Sequence, residues 1–286
     1  MASPRMPNDP RPRPFDAAAW LARLDETGPV DDAISTGFPS VDARLGGGPR
    51  RGDLVVLCGD DGVGKSAFAL AVALRAAEAG HEVALFSGEA DTERLIERSL
   101  AILSRTPPDL LRRGSLDEET RARVGAAVLR LRDHSPLFSF VPPNGIGGLS
   151  DLLIDQLGIG LVIVDPIEAL VTGRTTRDEE VAHVVRELKA MAVRRRCVVL
   201  VTTHLAQPVR ERPDPRPQLD DLGGLGALAQ HADVVLGLYR EELYHAASDI
   251  DGAAELHLRK HRTGSLGWVD LYLYKQWLRF EDMVEE

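Results

Sequence analysis

One short stretch, "GDDGVGKS" at residues 59–66, restricts the fold more than any other feature of the chain, because it matches the pattern G-x-x-x-x-G-K-[ST]. An apolar run, "DLVVLC" (53–58), precedes it, and an Ala- and Leu-rich helical pattern (66–79) follows it. In a strand–loop–helix unit of this kind, successive backbone N–H groups face a polyphosphate and the helix dipole adds to the attraction. The pattern therefore predicts a phosphate-binding loop between a buried strand and a helix.

We expect eight consecutive residues to line the nucleotide site that such a loop forms. They are Gly59, Asp60, Asp61, Gly62, Val63, Gly64, Lys65 and Ser66. The Lys65 ammonium should reach the β- and γ-phosphates of ATP, and the Ser66 hydroxyl should bind Mg²⁺. Asp60 and Asp61 are unusual beside a phosphate, so we expect both carboxylates to point away from it.

Strands and helices alternate from residue 53 onward, which is typical of an α/β fold with a mostly parallel sheet. Short apolar runs predict strands at 53–58, 83–88, 161–165 and 198–202. Helical patterns lie at 66–79, 91–104, 117–132 and 178–194. After residue 232 the strand-like segments "ADVVLGLYR", "AELHLRKHR" and "GWVDLYLY" follow without helices between them. We expect these three to extend one edge of the sheet in antiparallel order, and the Pro-rich stretch 211–218 to form a surface loop.

Three polar side chains follow predicted strands, at the sheet edge where open parallel sheets bind ligands. Asp165 ends "LVIVD", and an acid in that place can hold Mg²⁺ through water. Glu89 follows "VALFSG" and can orient and deprotonate an attacking water, although a surface salt bridge is the alternative. His204 ends "VVLVTTH", where it is either a sensor of the γ-phosphate or an ordinary loop histidine.

Composition limits the classes of partner. The 286 residues carry a formal net charge of −10, so nucleic acid can be bound only where positive charge is gathered locally, for example inside a ring. No apolar run approaches the ~20 residues that cross a bilayer, and the N-terminus is not signal-like, so no membrane partner is expected. Cys58 and Cys197 lie in apolar runs, which indicates buried free thiols and a cytoplasmic protein.

The first 33 residues are interpreted as a segment separate from the α/β pattern. Residues 1–14 are rich in Pro and polar groups and predict a disordered tail. The following stretch "FDAAAWLARLDET" (15–27) predicts a short helix with one apolar stripe. A lone short helix is marginal in water, so this stripe needs a partner surface, either on its own domain or on a neighbouring subunit.

Several motifs together resemble a known family. "ISTGFPSVDARLGGGPRRGDLVVLCGDDGVGKSAFAL", "ALFSGE", "LVIVDPIEAL", "HADVVLGLYREELY" and "AELHLRKHRTGSLGWVDLYL" are similar, in order and spacing, to the motor domain of DnaB-type replicative helicases. The resemblance runs from about Ile34 to Asp282, and we assign 34–286 to one such domain. It implies a RecA-like P-loop NTPase core, ATP and Mg²⁺ as cofactors, and a homo-oligomeric, hexameric ring that moves on single-stranded DNA.

The resemblance also implies roles for individual residues. Lys65, Ser66, Glu89 and Asp165 match the family's nucleotide and catalytic positions. Lys260 and Arg262, in "LRKHRTG", match a K-x-R motif that enters the neighbouring subunit's ATP site. A guanidinium supplied in trans neutralises the charge that develops on the γ-phosphoryl group, an effect of about 10³–10⁵ in rate. Solvated strand-end charges are the alternative for both residues.

Three departures from the family pattern carry expectations of their own. The segment before Ile34 has no counterpart of the family's primase-binding N-terminal domain, so a primase contact is not expected. His204 stands where the family usually has glutamine. The DNA-facing loop reads "DLGGLG" (221–226) in place of D-L-R-E-S-G, so a positive contact is lost from each subunit. The weaker DNA-binding candidates are Arg174, Arg177, Arg210 and the Gly226 N–H, together with Arg212.

Two other functions remain open. "LGGG" and "FSGE" also resemble RadA- and KaiC-like RecA-fold ATPases, which act in recombination or as nucleotide-dependent switches without unwinding. A non-catalytic ring or filament that uses nucleotide only to hold subunits together is the third possibility. Retention of both Glu89 and Arg262 disfavours it, because binding alone needs neither residue.

Overall fold

The computed structural model describes residues 17–18, 21–22, 32–142, 144–156, 158–207, 209–245 and 251–283. The chain divides into two units, Met1–Asp32 and Ala33–Glu286. In the first unit residues 17, 18, 21 and 22 are helical and exposed, among them Leu21, and the fifth described residue, Asp32, is half-buried. The rest of the predicted 15–27 helix, and the predicted tail at 1–14, lie outside the described residues, so both stay predictions.

The second unit alternates helices and strands as the sequence predicts. Its strands are β1 (Leu54–Gly59), β2 (Val83–Ser87), β3 (Leu137–Phe140), β4 (Leu161–Asp165), β5 (Val198–His204), β6 (Val234–Tyr239), β7 (Ala253–His261), β8 (Gly267–Tyr274) and β9 (Arg279–Asp282). Its helices are α1 (Pro39–Arg44), α2 (Lys65–Glu78), α3 (Thr92–Ser104), α4 (Pro108–Arg113), α5 (Glu118–Asp133), α6 (Ile146–Leu152), α7 (Arg177–Arg195) and α8 (Ala227–His231). No described helix has the length and apolar character that crossing a membrane requires.

All nine strands form one sheet in the order β3-β2-β4-β5-β1-β6-β7-β8-β9. Pairing is parallel from β3 to β6 and antiparallel from β6 to β9. The predicted α/β fold with an antiparallel C-terminal extension is therefore confirmed. The additional strands β3 and β9 lie at the two sheet edges, where "LFSF" and "RFED" lack the buried apolar run that marks a central strand.

Both faces of the sheet are covered. The Ala-rich helix α2 is buried along most of its length and packs on one face, in a cluster with Phe38, Phe68 and Phe280. The phenyl rings of Phe38 and Phe68 stack with centroids 4.9 Å apart, and Phe280 meets Phe68 edge-on at 5.6 Å. Helix α7 covers the opposite face with residues such as Val185 and Leu188. Cys58 and Cys197 are both buried free thiols, and burial raises the pKa of Cys58 to about 12.

Strand direction places two groups of residues at opposite edges of this sheet. The phosphate loop starts at the carboxyl end of β1, where Gly59 is in register with His204 of β5. Strand β7 returns antiparallel, so His261 lies beside Val234 at the start of β6, and Val234 lies beside Val55 near the start of β1. Each residue of a strand advances about 3.3 Å. The end of β7, which is level with Val55, therefore lies roughly 13 Å from Gly59, measured along the strands.

One carboxylate organises the loop that connects β4 to α7. The two carboxylate oxygens of Glu180 accept hydrogen bonds from the backbone N–H groups of Thr172 (2.5 Å), Gly173 (3.1 Å), Arg174 and Thr175 (2.8 Å). These backbone donors, with the Thr172 hydroxyl, lower the pKa of Glu180 to about 2. The loop that carries Arg174 is therefore folded around a charged carboxylate.

Replacement Glu180→Gln should destabilise the unit in a pH-dependent way, because a neutral amide cannot satisfy four N–H donors. The folded-state pKa of Glu180 is depressed, so its contribution is complete above the unfolded value of ~4.3 and is lost as the pH falls from there toward 2. Urea unfolding should show a lower midpoint for Glu180→Gln at pH 7 and converging midpoints near pH 3. Glu119→Gln is the control, since Glu119 pairs with Arg123 on an exposed face of α5; an equal effect of both variants at pH 7 contradicts the assignment.

Candidate nucleotide site

The phosphate loop has the curled backbone that its glycines allow. Gly62 and Gly64 adopt φ of 74° and 108°, which favours glycine at both positions. A Cβ on Gly64 would also lie 3.0 Å from the Phe280 ring. The Lys65 ammonium donates hydrogen bonds to the carbonyls of Gly59 (3.0 Å) and Asp60 (3.1 Å), and burial lowers the pKa of Lys65. The ammonium is thus already held inside the loop.

A second cation, which the sequence analysis did not single out, supports the loop from behind. The buried guanidinium of Arg240, just after β6, donates hydrogen bonds to the carbonyls of Gly62 (3.1 Å) and Val63 (3.3 Å). Arg240 is itself paired with Glu242. Arg240 thus fixes the orientation of these two carbonyls from the side of the loop that faces β6. A charged residue directly after a buried strand, as in "LGLYRE", is the only sequence signal for this role.

A hydroxyl and a carboxylate meet at the exit of the loop, where Mg²⁺ is expected. Ser66 Oγ donates to Asp165 Oδ1 at 3.1 Å, and the buried Thr202 hydroxyl donates to the same oxygen at 2.5 Å. Hydroxyl and carboxylate oxygens are the ligand types that Mg²⁺ takes, with phosphates and water filling its other positions. The pair therefore fits the metal. Within the described ranges no group of three or more His, Cys, Asp or Glu forms a self-sufficient metal site. Thr202 is a further site residue that sequence reasoning missed, although it lies two positions before His204.

His204 connects the phosphate loop to Glu89. His204 Nδ1 lies 2.8 Å from Asp61 Oδ1, and His204 Nε2 lies 3.9 Å from Glu89 Oε1. The hydrogen bond from His204 lowers the pKa of Asp61. The Asp61 carboxylate, 82% exposed, is turned toward this histidine, and Glu89 is exposed at the mouth of the site. The structure thus brings three predicted residues together at one sheet edge.

The other acid of the loop has a separate partner. Asp60 Oδ2 lies 2.9 Å from Arg210 Nε, and the Asp60 side chain is only 21% exposed. Arg210 was predicted to contact DNA, but the structure places it against the nucleotide loop. Each acidic residue that seemed out of place beside a phosphate is therefore matched with a basic side chain.

These groups surround a cleft of about 250 Å³. The phosphate loop, Glu89, Asp165, Thr202 and His204 line one part of it. Helices α2 and α3 and the segment before β9 line the remainder with Leu70, Arg98, Ile102 and Leu278. The cleft therefore has a polar end for phosphates and a more apolar end, which suits the two ends of a nucleotide.

Lys260 and Arg262, the residues of the predicted K-x-R motif, are not part of this cleft. Lys260 Nζ donates to the carbonyls of Ala229 (2.7 Å) and Gln230 (3.1 Å) at the end of α8. Arg262 Nε lies 3.2 Å from Asp233 Oδ1, and the Arg262 side chain is exposed. Both lie at the edge of the sheet opposite the loop of their own chain.

The predicted DNA contacts do not form one group: Arg210 lies at the nucleotide loop, whereas the loop 221–226 packs on the start of α7, next to Arg177. Gly224 has φ of 70°, and a Cβ there would lie 2.8 Å from Val181 on α7, so "DLGGLG" needs this glycine to pack closely. Leu225 and Gly226 at the tip of the loop are exposed and also have positive φ. Arg174 and Arg177 are exposed, the latter 3.7 Å from Glu168. Arg212 is held by two hydrogen bonds to the buried Asp221, at 2.6 and 3.0 Å.

Comparison with known proteins assigns a family to this arrangement. The family model described as the DnaB-like helicase C-terminal domain matches residues 33–282. The chain belongs to this family. It is 31% identical over 257 residues to the replicative DNA helicase DnaC of Bacillus subtilis (strain 168) and 30% identical over 257 residues to the replicative DNA helicase DnaB of Geobacillus stearothermophilus. Each alignment covers 87% of this chain and 56% of the relative, so the chain spans about half the length of the curated relatives it matches.

Solved structures show the same fold. An ATPase domain superposes with a TM-score of 0.84 at 24% identity, covering 94% of this chain and 100% of that domain. A DnaB-like replicative helicase, solved for its interactions with primase, superposes with a TM-score of 0.83 at 23% identity, covering 96% of this chain and 68% of the other. The RecA-like fold predicted for this DnaB-like domain is confirmed.

Thr202→Val tests the metal half of the site, because valine keeps the shape and removes the hydrogen bond to Asp165. We expect the Mg²⁺ concentration for half-maximal ATP turnover to rise by on the order of ten-fold, as losses of a group that orients a ligand do. Thr203→Val is the matched control, since Thr203 donates to Glu168 (2.7 Å) and not to Asp165. Equal shifts in the two variants would exclude a specific role for Thr202.

Proposed function

We propose that this chain is the motor part of an ATP-dependent DNA helicase or translocase, which hydrolyses ATP between subunits of a ring and moves on single-stranded DNA. The observation that carries the proposal is the separation of the nucleotide loop and the Lys260–Arg262 tip to opposite edges of one sheet. A site that needs both is completed only when a second copy brings its tip to the first copy's loop. The family membership of residues 33–282 supports the same assembly.

Each group near the loop has a chemical role in this proposal. Lys65 and the loop N–H groups bind the phosphates, and Ser66 and Asp165 hold Mg²⁺, which when bound neutralises phosphate charge. Glu89 accepts a proton from the attacking water, which it can reach from its exposed position at the mouth of the cleft. His204, which lies between Asp61 and Glu89, is the proposed sensor of the γ-phosphate.

The tip supplies the missing positive charge. Arg262 is the finger that neutralises the dissociating phosphoryl group of the neighbouring subunit, and Lys260 lies two residues before it, at the end of β7. In the single chain both cations are held by acceptors of their own subunit, Asp233 and the end of α8. Since Arg262 is exposed, a neighbour's triphosphate can replace this weak surface pairing.

Single-stranded DNA is the proposed polymer ligand. The protein is acidic overall, so contacts must come from the loops that face the centre of a ring, with the exposed Gly226 N–H and Arg174 as candidates. The altered loop 221–226 is the specific observation that favours a second function, a RecA-fold switch of the RadA- or KaiC-like type without unwinding. A primase contact is not part of the proposal.

The proposed domain layout is a tail and a linker-type helix in residues 1–33, followed by the ATPase domain in residues 34–286. Reduced thiols at Cys58 and Cys197 accord with action in the cytoplasm.

Hydrolysis should respond to DNA if the motor function is right. Purified protein with ATP and Mg²⁺ should release phosphate several-fold faster when an oligo-dT strand is added, because binding in the ring couples turnover to movement. Lys65→Ala should abolish release with and without DNA. A rate of phosphate release that does not change when DNA is added argues for the nucleotide-dependent switch. The absence of phosphate release argues for a binding assembly.

The ring hypothesis predicts complementation between two inactive variants. Arg262→Ala should bind ATP but turn over about 10³-fold or more slowly, because the finger is lost. Lys65→Ala keeps the finger but lacks a working loop. In a 1:1 mixture about one quarter of interfaces combine a wild-type loop with a wild-type finger, so part of the activity should return. Failure of the mixture to recover activity, with exchange of subunits shown by size measurement, would exclude a finger acting in trans.

A further inference from the structure

The pairing of Asp60 with Arg210 gives the nucleotide loop an additional controlling residue. Asp60 Oδ2 is buried and accepts no hydrogen bond from any described residue, while Arg210 Nε lies 2.9 Å away. The Tyr244 ring lies under the guanidinium at 5.6 Å, and burial together with the Asp60 charge raises the pKa of Tyr244. Arg210 also donates to the Leu243 carbonyl at 3.4 Å. The Asp60 carboxylate is therefore enclosed by Arg210 and Tyr244.

The backbone around Arg210 is fixed, so its guanidinium is a defined partner. Val209 is buried beside it. Further along the Pro-rich strap (residues 209–218), Arg212 makes two hydrogen bonds to Asp221, and Arg216 makes two to Glu255 of β7, at 2.6 and 2.7 Å. The strap is anchored on both sides of its central prolines, which fixes the side from which Arg210 approaches the loop.

Release of Asp60 would have a specific chemical consequence. The Lys65 ammonium already lies 3.1 Å from the Asp60 carbonyl oxygen. A carboxylate on the same residue, freed from Arg210, keeps the hydrogen bond from the Asp61 N–H to its Oδ1 (2.8 Å), but its Oδ2 can turn toward this ammonium. An Asp60–Lys65 ion pair would occupy the positive charge that the phosphates need and would place a negative charge in their path.

We propose that Arg210 is a positioning residue of the nucleotide loop, which holds the Asp60 carboxylate away from Lys65 and so keeps the loop open to a triphosphate. The proposal rests on the proposed function, since it assumes that ATP binds in this cleft. It assigns Arg210 to nucleotide binding in its own subunit and replaces the predicted contact with DNA. Arg210 itself does not touch the phosphates in this assignment.

A double-mutant cycle separates positioning from a direct effect of charge. Arg210→Gln should weaken binding of a fluorescent ATP analogue by about ten-fold in the wild-type background. In the Asp60→Asn background no carboxylate needs to be restrained, so the same Arg210→Gln change should cost about three-fold or less. Arg123→Gln on α5 is the control for the lost charge, because Arg123 pairs with Glu119 on the exposed surface. Thermal unfolding of each variant identifies any that fail to fold, and the two backgrounds are compared only as folded proteins.

Each other outcome has a defined meaning. Equal weakening of ATP binding in both backgrounds would show that Arg210 acts on the phosphates by charge alone, and the proposal would be wrong. Unchanged ATP affinity together with weaker binding of oligo-dT would show that Arg210 contacts DNA, and the proposal would again be wrong. If the wild-type protein binds no ATP analogue, the proposed function itself is wrong. If it binds the analogue but the Arg210→Gln and Asp60→Asn effects are independent, only the role of Arg210 is wrong.

Discussion

The buried carboxylate of Asp233 joins the parts of the molecule on which the proposed site depends. It accepts hydrogen bonds from the backbone N–H of Leu54 (2.8 Å) and from Lys189 Nζ (2.5 Å), and it pairs with Arg262 at 3.2 Å. Leu54 begins β1, Lys189 lies on α7, and Arg262 follows β7. Removing the Lys189 partner of this buried carboxylate would typically cost about 3–5 kcal/mol. The backbone N–H of Arg262 also donates to the Asp233 carbonyl at 2.9 Å, so the start of β1 and the end of β7 are held in one geometry even when the exposed Arg262 side chain turns to another partner.

That geometry explains why the loop and the tip are separated. Because β1 and β6 run parallel and β7 returns antiparallel, whatever follows β1 lies at one edge of the sheet and whatever follows β7 lies at the other. The register of β6 with β7 is shifted between Val235 and Leu236, next to the residues that pair with Lys260. A bulge of this kind bends the strand and re-aims the side chains beyond it. The tip is therefore presented outward by the sheet itself.

Local sequence patterns indicated which residues gather at the cleft, but not how their charges are paired. The motif at 59–66 and the strand-end residues Asp165 and Glu89 could be read from local patterns, because strand, loop and helix each have a short-range signature. The partners of Asp60 and Asp61 could not, since Arg210 lies 150 residues and His204 lies 143 residues further along the chain and no local rule links them. Edge strands β3 and β9 were missed for a related reason: their short, partly exposed sequences are stabilised by pairing with β2 and β8.

The Pro-rich strap shows how one segment can serve both halves of the site. Sequence reasoning predicted a surface loop at 211–218, since prolines cannot join a central strand. In the structure Arg216 stacks over Tyr239 at 4.5 Å and bonds twice to Glu255 of β7, while Arg210 meets Asp60. Although burial favours the neutral acid, hydrogen bonds from His257 and Arg216 lower the pKa of Glu255 to about 2, so this anchor stays charged at neutral pH. The strap therefore connects β7, the strand that leads to the proposed finger, with the nucleotide loop, and the two cannot shift independently without breaking one of these ion pairs.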